Sequence, residues 1–179
     1  MGKYFNGVWV ASVENIDFPS KCGLPAAELK AELEDIIATA KKAKLNAILF
    51  QVRPAADALY NSKLFPVSVY LTGKQGSPLP DGFDPLDYMV TRCHEEGIEL
   101  HAWLNPYRVT LGTAERPNQD LSALCEGHPA RVHPEWVVAY PDGKLYFNPA
   151  IAEVRDLITD GIREIVENYA VDGIHFDDY

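Results

Sequence analysis

The chain has 179 residues, 47% of them hydrophobic and 23% charged, which are ordinary proportions for one globular domain with a sizeable core and not for a disordered segment. Its 16 Lys and Arg against 26 Asp and Glu leave a formal charge of -10, a field that repels nucleic-acid phosphates and anionic lipid headgroups but tolerates a neutral ligand. Three scattered cysteines, Cys22, Cys93 and Cys125, lack CxxC spacing and argue against both a disulfide framework and a structural zinc site.

Taken in chain order, two periods alternate. Met1-Gly2-Lys3 leads almost at once into a strand-like run, Gly7 to Val13, so no signal peptide is expected in this chain, and no apolar run reaches the length of a membrane span. From Pro25 to Lys44, the residues Leu29, Leu33, Ile36, Ile37 and Ala40 form one apolar helical stripe. A second strand-like run covers Leu45 to Val52. The second helix opens on Asp84-Pro85, a capping aspartate followed by proline at the first helical position. It buries Leu86, Met89, Val90 and Cys93 and stops at Gly97. Ile98 to Leu104 is the third strand. Asn148-Pro149 predicts a third helix start, with a stripe of Ile151, Val154, Ile158, Ile162, Ile165 and Tyr169, and Val171 to Phe176 is the fourth strand.

The order β-α-β-α-β-α-β requires parallel strands joined by right-handed crossovers. Residues 53–84 and 105–148 are long, aromatic and Pro- and Gly-bearing, and both follow strand C-termini, whereas the returns from helix to strand are short. That asymmetry belongs to a (β/α)8 barrel of the TIM type. A doubly wound sheet would ordinarily carry a Gly-rich first turn, and Glu14-Asn15-Ile16-Asp17 is not one. Four strands are half of a barrel, so residues 1–179 are expected to form a single partial domain, an N-terminal half-barrel. Its outer strands would carry unpaired backbone and open a route to self-association through the barrel edges.

The strand ends hold the chemistry. Ser12, Glu14 and Asn15 end the first strand. Gln51 and Arg53 end the second, followed by Asp57 and Tyr60. His101, Trp103, Asn105, Tyr107 and Arg108 run off the third, and His175, Asp177 and Asp178 off the fourth. Aromatic faces that stack on a pyranose, beside amides, arginines and histidines that bond its hydroxyls, are what a sugar site needs. Phe50-Gln51-Val52-Arg53-Pro54, Asp57-Ala58-Leu59-Tyr60, Tyr70-Leu71-Thr72-Gly73, His101 through Arg108, and Asp172 through Tyr179 resemble the glycosyl hydrolase-like 10 family along nearly the whole chain. The resemblance implies a bacterial (β/α)8-barrel protein, exported or envelope-associated, acting on glycan strands such as peptidoglycan.

Strand parity places Asp177 with His175, toward the barrel interior, and Asp178 with Phe176. By analogy with barrel glycosidases related to the amylases, Asp177 is expected to be the nucleophile or oxocarbenium stabiliser, with Asp178 orienting neighbouring donors or touching substrate. A glycosidase needs a second carboxyl group. Glu14 is the candidate on this rim, but it stands on a strand not adjacent to the fourth, so the acid is expected on further strands. Arg53 and Asn105 are expected to bind sugar hydroxyls or hold Asp177 ionised. No cofactor is expected. Two competing readings are a metal-dependent hydrolase using His101, His175, Asp177 and Asp178, and a half-barrel that binds glycan without cleaving it.

Overall fold

The computed structural model describes residues 4–177. In chain order its elements are β1 (Gly7–Val10), α1 (Ala26–Lys42), β2 (Ala47–Arg53), α2 (Val69–Thr72), α3 (Pro85–Glu95), β3 (Glu99–Leu104), α4 (Pro129–Val132), β4 (Val137–Ala139), β5 (Leu145–Phe147), α5 (Ala152–Asn168) and β6 (Gly173–Phe176). One sheet has the order β1-β2-β3-β6 with every pair parallel, and α1, α3 and α5 make the crossovers. This is four strands' worth of a (β/α)8 barrel, as the alternation of periods predicts.

The two faces of the sheet differ sharply. Val10, Ile48, Phe50, Val52, Leu100, Ala102 and Leu104 are buried beneath the helices, against Leu29, Leu33 and Ile37 of α1 and Leu86, Met89 and Cys93 of α3. Each fully buried Leu or Ile contributes about 1.5–3 kcal/mol, so these stripes rather than helix propensity hold the helices in place. The alternate residues of β3, namely Glu99, His101 and Trp103, lie half-exposed on the other face. That face curves. In a flat sheet the first and fourth strands would stand about 14 Å apart, yet Trp9 Nε1 of β1 donates to His175 Nε2 of β6 at 3.3 Å. The two edge strands have rolled toward each other around a concave surface.

Three sequence expectations need correction. β1 ends at Val10, because the chain then turns through Glu14 and Asn15, whose φ values of 52° and 55° are left-handed and cannot continue a strand. The last long helix begins at Ala152 and not behind Asn148-Pro149. Asn148 Oδ1 accepts from the Ala150 N–H at 3.0 Å and spends the motif on a tight turn first. Residues 105–148 are not a plain loop: they contain α4 and an antiparallel hairpin, β4–β5, whose three-residue strands are too short to leave a period.

β2 carries a bulge. Gln51 stands opposite Trp103, but Arg53, not Val52, stands opposite Leu104. Val52 and Arg53 therefore share the helix side, and the Arg53 guanidinium lies 4.2 Å from the centroid of the Phe65 ring, against α5. Gly161 of α5 makes room for it: a Cβ there would come within 2.5 Å of Arg53 Nη1 and 2.9 Å of Phe65 Cε2. With Arg53 only 1% exposed, neither group can swing clear. Gly161→Ala is accordingly expected to destabilise the fold by about 1–3 kcal/mol, seen as a lowered urea midpoint, although alanine is the better helix former.

Candidate active site

The candidate site is built on Asn105, the residue directly after β3. Its backbone N–H donates to Arg53 O at 2.8 Å, tying the ends of β2 and β3 together. Its side chain is 1% exposed, with both polar ends engaged: Oδ1 accepts from the Arg108 N–H at 2.7 Å, and Nδ2 donates to Asp177 Oδ1 at 2.8 Å. The first bond fixes which way the amide points, so the second is a donor aimed at the carboxylate. Asp177 follows β6 and is half-buried, with its backbone N–H directed at Leu104 O (3.4 Å). Asp178 lies outside the described residues.

Below Asp177 on the concave face, His175 pairs in register with Trp103. Its Nε2 accepts the Trp9 indole N–H, which puts the ring's own proton on Nδ1, and the Trp103 ring meets it edge-on at 6.1 Å. His101 lies one layer lower. Phe5 packs against it at 5.2 Å and its Nε2 is 3.3 Å from Glu99 Oε2, so it is an interior side chain of the half-barrel rather than part of the rim. Among the described residues, no three His, Cys, Asp or Glu side chains cluster as a metal site.

Four candidates are placed differently from expectation. Arg53 does not reach the concave side, because the bulge turns it under α5. Tyr60 is fully buried beside Arg53 and edge-on to Tyr169 at 5.7 Å, and burial raises its hydroxyl pKa. Gln51 does face the concave side, but its Oε1 accepts from the backbone N–H groups of Ser12 and Val13, both at 2.9 Å, and so anchors the turn after β1. Asp57 is 3% exposed. Its Oδ2 accepts from Gln75 Nε2 at 3.0 Å, and Gln75 Oε1 accepts from the Cys125 N–H at 3.2 Å, so one amide clamps the two long rim loops together. Arg108 braces the rim by donating from Nη1 to Pro54 O at 3.3 Å. Tyr107 lines a separate cavity with the β4–β5 hairpin. Sequence reasoning missed Trp9, whose parity with Gly7 was available, and the hairpin residues Tyr140 and Tyr146, for which local sequence carries no signal.

The chain matches the glycosyl hydrolase-like 10 family over residues 4–179. It belongs to that family. It is 47% identical over 172 residues to glycosyl hydrolase YngK of Bacillus subtilis (strain 168), covering 96% of this chain and 32% of that protein. With glycosyl hydrolase DigH of Escherichia coli (strain K12) the identity is 34% over 183 residues, covering 97% of this chain and 41% of DigH. The chain thus spans well under half the length of the curated relatives it matches. Among solved structures, the maltogenic α-amylase AmyB of Thermotoga neapolitana (TM-score 0.57, 14% identity) matches 97% of this chain and 39% of its own length. An α-galactosidase of Lactobacillus brevis (TM-score 0.57, 13% identity) also matches 97% of this chain, and 20% of its own. At such identities these likenesses show the fold alone: this family member has the chain path of part of a barrel.

Two buried groups beside the rim give this chain opposing responses to pH. Burial raises the Asp57 pKa, so its charged form is penalised in the fold: the penalty grows as pH rises above the ordinary carboxylate range and disappears once the carboxyl is protonated in acid. Asp57→Asn keeps the acceptor for Gln75 and is expected to raise the urea midpoint at pH 7, with the gain shrinking as pH falls. His128, fully buried, accepts the Ala130 N–H at 3.0 Å as the cap of α4, and burial lowers its pKa to about 4. It stays neutral in the fold while the unfolded chain takes up a proton below about pH 6.5, so stability is lost as pH falls from there toward 4, by about 3 kcal/mol in all. His128→Asn preserves a capping acceptor and is expected to flatten this acid limb in urea titrations at pH 7 and 4.5.

Proposed function

We propose that this chain carries part of the catalytic mouth of a glycoside hydrolase that cleaves O-glycosidic bonds in a bacterial or other polysaccharide. In this reading Asp177 is the nucleophile or the stabiliser of the oxocarbenium-like transition state. The observation that carries it is the Asn105 bond: a buried amide, held from behind by the loop it begins, presents a donor to a carboxylate at the C-terminal end of a barrel strand, where barrel enzymes keep their chemistry. The donor on Oδ1 fixes the carboxylate's rotamer, leaving Oδ2 outside that bond to approach the anomeric carbon. His175, oriented by the Trp9 indole N–H, and Trp103 would form the floor under the sugar. Membership of a family named for glycosyl hydrolysis supports the reaction class.

Glycoside hydrolysis also needs a proton donor for the leaving oxygen, about 5–5.5 Å from the nucleophile for retention or about 6.5–9.5 Å from the base for inversion. We assign that donor to barrel strands beyond these four, so this chain alone is expected to hydrolyse negligibly. The test is a chimera in which the chain replaces the aligned segment of the Bacillus subtilis relative, assayed by reducing-end release on purified peptidoglycan glycan strands. The chimera should cleave. Asp177→Asn should lower its kcat at least about 10³-fold with an unchanged melting temperature, in keeping with the loss of a covalent or electrostatic catalyst. A chimera whose Asp177→Asn form cleaves as fast as its parent would rule out this role.

A further inference from the structure

The β4–β5 hairpin builds a second recognition surface that the catalytic reading does not use. Residues 107–109 pair antiparallel with β5: the Phe147 N–H donates to Tyr107 O at 2.8 Å, the Val109 N–H donates to Leu145 O at 2.9 Å, and Arg108 forms a bridge with Tyr146. The hairpin is therefore not a loose flap but an extension of the segment that leaves Asn105. Between this three-stranded patch and the turn at Asn148-Pro149 lies a cavity of about 380 Å³, lined by Tyr107, Tyr140, Tyr146, Asp142 and Asn148 over a base of Phe147 and Pro149. Its size is within the range of about 300–1,000 Å³ common to small-molecule sites.

The chemistry of the lining is specific. Tyr140 is 54% exposed, and its ring meets Tyr146 at 5.2 Å with 68° between the planes, so the two tyrosines wall the cavity at a steep angle instead of covering each other. Asp142 is the sole carboxylate in the lining, and it is compensated. Desolvation is the largest single influence on it and opposes its charge, but the Lys144 N–H at 3.0 Å, Lys144 Nζ at 3.1 Å and the Tyr146 hydroxyl at 2.9 Å together lower its pKa. It can accept a further hydroxyl but is not placed to act as an acid. Asn148 accepts from the Ala150 N–H through Oδ1, which leaves Nδ2 as a donor. Aromatic walls with one neutralised acceptor and one amide donor suit an uncharged polyol ring, and the chain's formal charge of -10 disfavours an anion.

We propose that this cavity is a subsite for one pyranose unit of a neutral oligosaccharide, held by stacking on Tyr140 at the base of the loop that leaves Asn105. Asn105, which holds Asp177, and Tyr107, which lines the cavity, are two residues apart, a span of at most about 7 Å. The inference rests on the glycosidase reading for its ligand class, but its test reads binding and not cleavage.

Titration calorimetry of this chain with cellotetraose, maltotetraose and chitotetraose should show binding of at least one. Amide shifts in the ¹⁵N spectrum should cluster over residues 138–149. Tyr140→Phe, which keeps the ring face, should bind like the parent, while Tyr140→Leu, which keeps bulk without a face, should bind about five- to tenfold more weakly. Unchanged shifts of β5 in the free variants establish that the hairpin is intact. Equal affinity of the Leu and Phe variants, shifts confined to the concave face around Trp9 and Trp103, or no binding of any tetraose would each overturn the proposal. Binding here by a chimera that does not hydrolyse would remove the catalytic reading and leave the subsite standing.

Discussion

Everything at the rim depends on one buried amide. Asn105 leaves β3 with its backbone N–H donating to Arg53 O, its Oδ1 accepting from the Arg108 N–H and its Nδ2 donating to Asp177, so three strand ends and the start of the longest loop meet at a single residue. At 1% exposure it has no water to fall back on. Losing any of these bonds would leave a polar group stranded in the core, at a cost of about 1–3 kcal/mol. An asparagine is suited to this place because it donates and accepts at once. An aspartate would offer only acceptors and face Asp177 with a like charge, and a leucine of similar size would offer neither.

The architecture was legible from the sequence because it rests on period. Stripes such as Leu29, Leu33 and Ile37 and runs such as Ala47 to Val52 are produced by the same burial that the coordinates display. The inward parity of His175 and Asp177 follows from strand geometry alone and agrees with the contacts each makes. Arg53 was misread for a physical reason. Parity counting assumes an unbroken register, and a bulge inserts one residue that local sequence does not announce. Asp57 and Tyr60 were misread because a polar residue in a loop looks exposed until the loop is known to fold back under a helix. The hairpin was invisible because three residues are too few to show alternation.

The two long loops that follow β2 and β3 are not independent decorations. Gln75 bonds Asp57 on one side and the Cys125 backbone on the other, and Arg108 reaches across to Pro54. The rim is therefore a cross-braced layer standing on the sheet, with its own buried titratable groups in Asp57 and His128. Much of its polar inventory, which at sequence level reads as ligand-binding, is occupied in holding the layer together. The roles proposed for this chain rest instead on the concave face and the hairpin cavity.

The pairing of residues 107–109 with β5 has an evolutionary consequence. It closes the base of the excursion, so the chain between Thr110 and Lys144 departs from and returns to one fixed anchor. Doubling the length of such a closed excursion costs only about 0.6 kcal/mol of extra closure entropy. Insertions in that stretch which spare the bond between Gln75 and the Cys125 backbone would therefore cost the fold little, and the scaffold leaves room for them to arise.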